Sequence, residues 1–192
     1  PALPKNGPYH TDQFRRQPRG HAVSRPRAYS TDTVLRRAKN AFWDQGYDRT
    51  ALSDIEHATG LNRSSIYSAF GSKEGLFVGA LDFYINDFIV PLLAPMEGGR
   101  ARPRDVEGFF MNLAALFRQG GRPAKHGCLW VNSVADVAGR NPVVAARSAE
   151  YLQRLRGAFA HALGAGTRPA GPDPSVERRA RLLAVTTWGI WL

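Results

Sequence analysis

Closely spaced helix start and stop signals constrain residues 31–77 more than any other feature of the chain. Apolar residues repeat at three- and four-residue intervals from Val34 to Phe42, which predicts an amphipathic helix that ends at Gly46. The next start and stop signals follow at short intervals, at Thr50, Gly60, Asn62 and Ser72. The segment therefore has room for two helices of about two turns each, capped by Thr50 and Asn62, before a longer helix that Ser72 caps and Pro91 ends.

Two short helices joined by a tight turn predict a helix-turn-helix, in which the second helix enters the major groove of DNA and the first braces it. In the second helix Ile66 and Phe70, with Leu61 before it, fall on the inward face. The opposite face consists of an arginine, a tyrosine and two small hydroxyl side chains: Arg63, Ser64, Tyr67 and Ser68. A solvated helix would favour Glu and Lys, whereas these side chains suit close approach to base edges and phosphates.

The remainder of the chain also has helical periodicity and shows no strand alternation. Helices are predicted at 105–119, 127–138, 141–163 and 174–192, with loops at 97–104, 120–126 and 164–174. The predicted fold class is all-α, with a flexible arm at 1–28, a three-helix DNA-binding module at 29–75 and a larger helical domain at 76–192. The apolar pattern is still running at Leu192 without a capping residue, which leaves open whether the native chain extends further.

Charge points to a polyanionic partner, because the net charge is +10. The arm holds one acid and six basic residues, namely Lys5, Arg15, Arg16, Arg19, Arg25 and Arg27. The module at 29–75 is neutral, with six basic and six acidic residues. Two interpretations stay open: sequence-specific binding through the helix-turn-helix, or an architectural protein that coats DNA through its basic arm. The arm itself either tracks DNA or is a solvated tail.

Other classes of function find little support in the composition. The single cysteine, Cys128, is interpreted as a buried small apolar residue rather than a redox sensor, and neither it nor His126 belongs to a metal-binding cluster. No catalytic spacing of Ser, His and acidic residues stands out, so we expect neither an enzyme nor a cofactor. The chain has neither an apolar run of membrane-spanning length nor a signal-peptide pattern, which predicts a cytoplasmic protein.

A family resemblance rests on the residues of the helix-turn-helix. The chain resembles the tetracycline-repressor (TetR) family of bacterial regulators over residues 31–77. The residues that carry the resemblance are Gly46-Tyr47, Thr50, Asp54-Ile55, Ala58, Gly60-Leu61, Ile66-Tyr67, Phe70 and Ser72-Lys73-Glu74. Gly127-Cys128-Leu129, followed by Asn132 and Asp136, is similar to the middle of one branch of the family. The chain departs from the family at Ala69, where His is frequent, and at Ala51, where Ser or Thr is usual.

The resemblance implies roles for individual residues on this surface. Arg63, Ser64 and Ser68 would face base edges. Thr50, Ser65, Tyr67 and Lys73 would hold phosphates, and the predicted helix N-termini at Thr50 and Lys73 favour anions independently.

The resemblance also implies a homodimeric repressor that leaves a palindromic operator when a small-molecule effector binds. The effector cavity would lie among the later helices, lined by Phe110, Phe117, Trp130, Asn132, Asp136, Tyr151 and Trp188. Asn132 and Asp136, four residues apart on one helix, would supply polar contacts. The last two helices, 141–163 and 174–192, would form the dimer interface as a four-helix bundle.

Overall fold

A computed structural model describes residues 30–165 and 173–191 of the chain, and these ranges fold as helices and connecting loops without a β-strand. The prediction of an all-α fold is therefore confirmed. The chain divides into two compact units, the first ending at Asp87 and the second beginning at Phe88. The arm predicted at 1–28 lies outside the described residues.

The N-terminal unit contains α1 (Thr31–Gln45), α2 (Leu52–Thr59), α3 (Arg63–Phe70) and α4 (Lys73–Tyr84). α1 packs against α2 and α4, and α3 packs against α4. The core consists of apolar side chains from all four helices, including Leu35, Phe42, Ile55, Ile66, Leu76 and Phe77. Because α4 supplies so much of this core, the unit extends past the boundary predicted after residue 75.

The helix that begins at Lys73 does not end at Pro91, so that prediction is wrong. A π-helical turn at Ile85–Ile89 follows α4, and α5 (Val90–Glu97) begins immediately after the turn. Pro91 lies in the first turn of α5, directly after the π-helical turn, and the helical backbone continues through it.

The stretch Lys73–Glu97 is also apolar and long enough to cross a membrane by length and composition. Its most apolar 18-residue window has a mean hydropathy of 1.6, and 61% of that window is buried inside the protein. The core helix of a soluble protein passes the same test, so this composition is weak evidence for a membrane segment.

The C-terminal unit contains α5, α6 (Pro103–Gln119), α7 (Gly121–His126), α8 (Leu129–Ser133), α9 (Pro142–Gly164) and α10 (Pro174–Trp191), with a π-helical turn at Val134–Ala138. α9 packs against α5, α6 and α10. Asn141 caps α9 as predicted, because its side-chain oxygen accepts hydrogen bonds from the amides of Val143 and Val144 at 3.0 Å. The prediction of a loop at 120–126 is wrong, because α7 occupies most of it. Arg154 of α9 donates two hydrogen bonds, of 2.6 and 2.7 Å, to the Glu97 carboxylate of α5.

The backbone at Gly127 lies so close to the end of α10 that a side chain does not fit there. A Cβ atom at this position would overlap the carbonyl oxygen of Trp191. Its φ of +66° is also one that only glycine adopts readily. We expect Gly127→Ala to lower the free energy of unfolding by about 2–4 kcal/mol through overpacking and backbone strain. Gly108→Ala is the matched control, because a Cβ at Gly108 in α6 meets nothing within 4 Å. The control is expected to raise stability by about 0.5–1 kcal/mol. Urea unfolding measures both, and equal effects of the two substitutions would contradict the packing argument.

Candidate nucleic-acid interface

Helix α3 begins after Asn62 and ends before Ser72, as the sequence predicts, because both of its ends are capped locally. The Asn62 side-chain oxygen accepts hydrogen bonds from the Ser65 amide at 2.9 Å and from the Ser64 hydroxyl at 2.8 Å. At the other end the Gly71 amide donates to the carbonyl oxygen of Tyr67. These hydrogen bonds fix the start and the length of the helix independently of DNA.

The two faces of α3 separate as predicted. Ile66 and Phe70 are buried, as is Leu61 in the preceding turn. On the opposite face Arg63, Ser64 and Ser68 are exposed, and 47% of Tyr67 is exposed. Ser65 is half-buried between the two faces. An apolar anchor therefore holds the helix while a polar face remains open to solvent.

The cap at Asn62 gives a direct test of how this face is built. We expect Asn62→Ala to lower the free energy of unfolding by about 1 kcal/mol, because the Ser65 amide loses its acceptor. Asn62→Asp retains a side-chain oxygen at the cap and is expected to keep most of that stability. Chemical denaturation followed by circular dichroism distinguishes the two. Equal losses in both variants would show that the cap is not the source of the effect.

The brace helix α2 is fixed to its neighbours by polar contacts that were not predicted. Gly60 ends the helix in the left-handed conformation, as predicted. The buried Thr59 hydroxyl donates to the Ile55 carbonyl at 2.6 Å and accepts from the Leu61 amide at 3.3 Å. Arg37 of α1 donates to the Thr59 carbonyl at 3.4 Å. In the sequence, the signal for these hydrogen bonds is the threonine directly before Gly60. Together they fix the turn after α2 to α1 and to the rest of the N-terminal unit.

Thr50 does not occupy the position predicted for it. The N-cap of α2 is Ala51, whose amide donates to the Asp54 carboxylate at 2.8 Å. Thr50 is fully buried, and its hydroxyl donates to the carbonyl of Gly46 at 2.6 Å. The prediction that Thr50 caps the helix and contacts phosphate is corrected accordingly, because its side chain closes the preceding loop and has no exposed surface.

Lys73 begins α4, whose cap is Ser72 as predicted, since the Ser72 hydroxyl oxygen accepts from the Gly75 amide at 3.0 Å. The Lys73 ammonium lies over the ring of Tyr47, with Nζ 4.4 Å from the ring centroid. Burial of its surroundings lowers the pKa of Lys73 below its ordinary value, while the charges of Asp48 and Asp54 act to raise it. The contact with Tyr47 was not predicted, because it joins a loop and a helix far apart in sequence.

The aromatic residues predicted to line an effector cavity make well-packed contacts in the C-terminal unit. Trp130 and Tyr151 are buried with their ring centroids 6.0 Å apart. Phe110 stacks on Phe159 with centroids 5.9 Å apart, and Phe117 lies against Trp191 with centroids 5.0 Å apart. Trp130 and Tyr151 lie in the core, whereas Phe110 and Phe117 are half-buried.

The polar members of that predicted set lie in different environments. Asn132 donates to the carbonyl of His126 at 2.6 Å, whereas Asp136 is exposed. A π-helical turn at Val134–Ala138 begins between them, and a role for both residues in one polar anchor stays a prediction. Trp188 is half-buried, and its indole N–H, like that of Trp130, has no hydrogen-bond acceptor among the residues the structure describes.

Within the described ranges no group of three or more His, Cys, Asp and Glu side chains is arranged to hold a metal ion. Cys128 is buried at the start of α8.

Two features define the class of protein. A buried apolar anchor and an open polar face on a short second helix, braced by α2 across a glycine turn, constitute a helix-turn-helix DNA-binding unit. Residues 34–80 match the family described as bacterial regulatory proteins, tetR family. Over these residues the chain is similar to the TetR family.

Curated relatives support this assignment. The chain is 34% identical over 118 residues to the HTH-type transcriptional repressor ComR of Escherichia coli K12, a match covering 59% of this chain and 54% of ComR. It therefore spans about half the length of that relative. It is 27% identical over 141 residues to the uncharacterized HTH-type transcriptional regulator YezE of Bacillus subtilis 168, covering 73% of this chain and 72% of YezE.

A solved structure shows the same architecture bound to DNA. A cysteine mutant of the TetR family transcriptional regulator CifR, complexed with 26-base-pair operator DNA, is 27% identical. It superimposes with a TM-score of 0.69 over 87% of each chain.

Proposed function

We propose that this chain is a cytoplasmic, sequence-specific DNA-binding transcriptional repressor that acts as a homodimer and leaves its operator when a small-molecule effector binds. The observation that carries the proposal is the exposed polar face of α3. Arg63, Ser64, Tyr67 and Ser68 are all open to solvent while the other side of the same helix is anchored in the core. CifR, a relative with the same fold, has been solved with operator DNA.

The residues of this face divide into two roles. Arg63, in the first turn of α3, is proposed to make a bidentate contact with guanine, worth about 1–3 kcal/mol of discrimination. Ser64 and Ser68 are proposed to read neighbouring base edges. Because the Ser64 hydroxyl donates its proton to Asn62, its oxygen remains available as an acceptor for an adenine or cytosine amino group.

The phosphate contacts are proposed to flank these bases. Tyr67 presents nearly half of its surface, Ser65 lies beside it, and Lys73 begins the next helix. Since the module is electrically neutral, affinity depends on where these groups stand rather than on total charge.

Homodimerisation is proposed through α9 and α10. Leu182 and Val185, three residues apart on α10, are 67% and 66% exposed. Large apolar side chains that share one face and are open to water favour burial against a second copy. Two copies of α3 would then read two half-sites about one turn of DNA apart.

Effector release is proposed to work through the helical stretch that joins the two units. The backbone is helical from Lys73 to Glu97, and the division between the units falls at Asp87 and Phe88, inside the π-helical turn. A ligand held in the C-terminal unit that favours one geometry of this stretch would change DNA affinity, typically by about 1–3 kcal/mol of coupling. The indole N–H groups of Trp130 and Trp188 meet no acceptor within residues 30–165 and 173–191, which favours an effector that carries hydrogen-bond acceptors.

Selection of bound sequences from a random duplex library tests the proposal. Recovery of one motif with two-fold symmetry would support both the specific readout and the dimer. Equal binding to every duplex, with a steep salt dependence, would overturn the proposal in favour of an architectural DNA-coating protein.

A further inference from the structure

The ammonium group of Lys73 and the ring of Tyr47 form a contact that the helix-turn-helix architecture does not require. Tyr47 lies in the loop between α1 and α2, and Lys73 is the first residue of α4. The distance of 4.4 Å from Nζ to the ring centroid is well within the range of a cation–π interaction.

The ring is itself fixed to the core. Its centroid lies 4.6 Å from the ring of Phe77 and 6.1 Å from that of Phe42. Phe42 and Phe77 are each only 1% exposed and contact one another edge to face at 5.0 Å. Tyr47 therefore presents a ring face whose position is determined by the packing of α1 against α4.

The surroundings of the ammonium strengthen this contact. Lys73 is half-buried, and partial removal of water makes attraction to an aromatic face stronger than at an open surface. The carboxylates of Asp48 and Asp54 add favourable charge from the α1–α2 loop and from α2. A lysine side chain ordinarily loses considerable rotamer freedom when it is fixed, and a lysine that is already held loses less on binding.

We propose that Tyr47 is a positioning residue for DNA binding, whose ring holds the Lys73 ammonium at the start of α4 in readiness for a phosphate. The inference rests on the proposed function, since it presupposes that Lys73 contacts the DNA backbone. A lysine ammonium has three N–H donors, and an aromatic face engages only one side of it, so the proposal assigns the other donors to the phosphate.

The test uses the full-length protein and a duplex recovered from the library selection, with affinity measured over a series of KCl concentrations. The variants are Tyr47→Phe, Tyr47→Leu, Lys73→Met and the double variant Tyr47→Leu/Lys73→Met. Phenylalanine keeps the ring face, whereas leucine keeps apolar packing on Phe42 and Phe77 without a π system. Tyr47→Phe is expected to bind like the parent protein.

Tyr47→Leu is expected to weaken binding about three- to thirtyfold at low salt. It should also make the dependence of log affinity on log salt shallower, by up to about one for each phosphate that Lys73 no longer neutralises. In the Lys73→Met background the same leucine substitution is expected to change affinity no further. An upfield ring-current shift of the Lys73 side-chain methylene protons should persist in Tyr47→Phe and disappear in Tyr47→Leu.

Several outcomes would overturn the inference. Equal effects of Tyr47→Leu with and without Lys73 would show a purely structural role, and tighter binding of Tyr47→Leu would show that the ring competes with phosphate. Loss of binding in Tyr47→Phe would also contradict it, because the ring face is retained. If Lys73→Met binds normally while the α3 face still selects a motif, the inference fails and the proposed function stands. If the parent protein binds all sequences equally, the proposed function itself is wrong.

Discussion

Alanine at Arg63, Ser64, Tyr67 and Ser68 together is expected to reduce affinity for the selected duplex to the level of random DNA, a loss of about a thousandfold or more. All four side chains are exposed, so their removal takes away base and phosphate contacts and little else. Exposed substitutions of this kind usually change the free energy of unfolding by less than about 0.5 kcal/mol each. Fluorescence anisotropy with the selected and a scrambled duplex measures the effect.

The matched control replaces four exposed residues of α6, in the other unit, with alanine: Glu107, Met111, Asn112 and Arg118. It removes a similar amount of exposed side chain, including one arginine, and is expected to keep the discrimination between the two duplexes. If the α3 variant still discriminates between the two duplexes as the parent does, and its thermal unfolding curve is unchanged, this face does not recognise DNA.

A single substitution at Arg63 distinguishes a contact with a base from a contact with a phosphate. Arg63→Ala is expected to lower specific affinity by about 1–3 kcal/mol and to relax the preference at one base pair in each half-site. Repeating the library selection with the variant shows which position is affected. A uniform loss across all positions of the motif would instead make Arg63 a phosphate contact.

The sequence predicts the helix-turn-helix well because its signals are local. Gly46, Gly60, Asn62 and Ser72 each end or begin a helix through hydrogen bonds within a few residues, and each does so in the structure. The boundaries of α3 and the separation of its two faces follow from these caps and from helical periodicity.

Predictions fail where the position of a side chain depends on a partner that the local sequence pattern does not identify. Thr50 is a good N-cap residue, yet Asp54 reaches back to the amide of Ala51, and the threonine hydroxyl bonds the preceding turn instead. Composition alone does not decide which of two adjacent residues adopts the capping geometry. The contact of Lys73 with Tyr47 similarly depends on tertiary packing of α1 on α4.

A π-helical turn accounts for one further error. A periodicity argument assumes 3.6 residues per turn, and a wider turn shifts every later side chain around the axis. Ile85–Ile89 is such a turn, and α5 continues through the Pro91 that was predicted to end the helix. No residue type signals such a turn strongly enough for it to be predicted from one sequence.

Glutamate at Leu182 and Val185 together is expected to convert the protein to a monomer. The two side chains are 67% and 66% exposed on one face of α10, and in the proposed dimer they pack against the partner. Burying two carboxylates there without cations to pair them would be strongly unfavourable. Because two linked half-site contacts bind more tightly than one, affinity for the full selected duplex should fall about 10²–10⁴-fold. Sedimentation equilibrium and binding to full-site and half-site duplexes measure the two effects.

Met111→Glu is the matched control, since Met111 is a 57% exposed apolar residue on α6, outside the proposed interface. It is expected to remain dimeric with parental affinity. The Leu182→Glu/Val185→Glu variant should still bind an isolated half-site like one parental protomer, because its N-terminal unit carries no substitution. That result would separate loss of dimerisation from loss of folding. A dimeric Leu182→Glu/Val185→Glu variant would place the interface elsewhere, and weakened half-site binding would point to damage within the protomer.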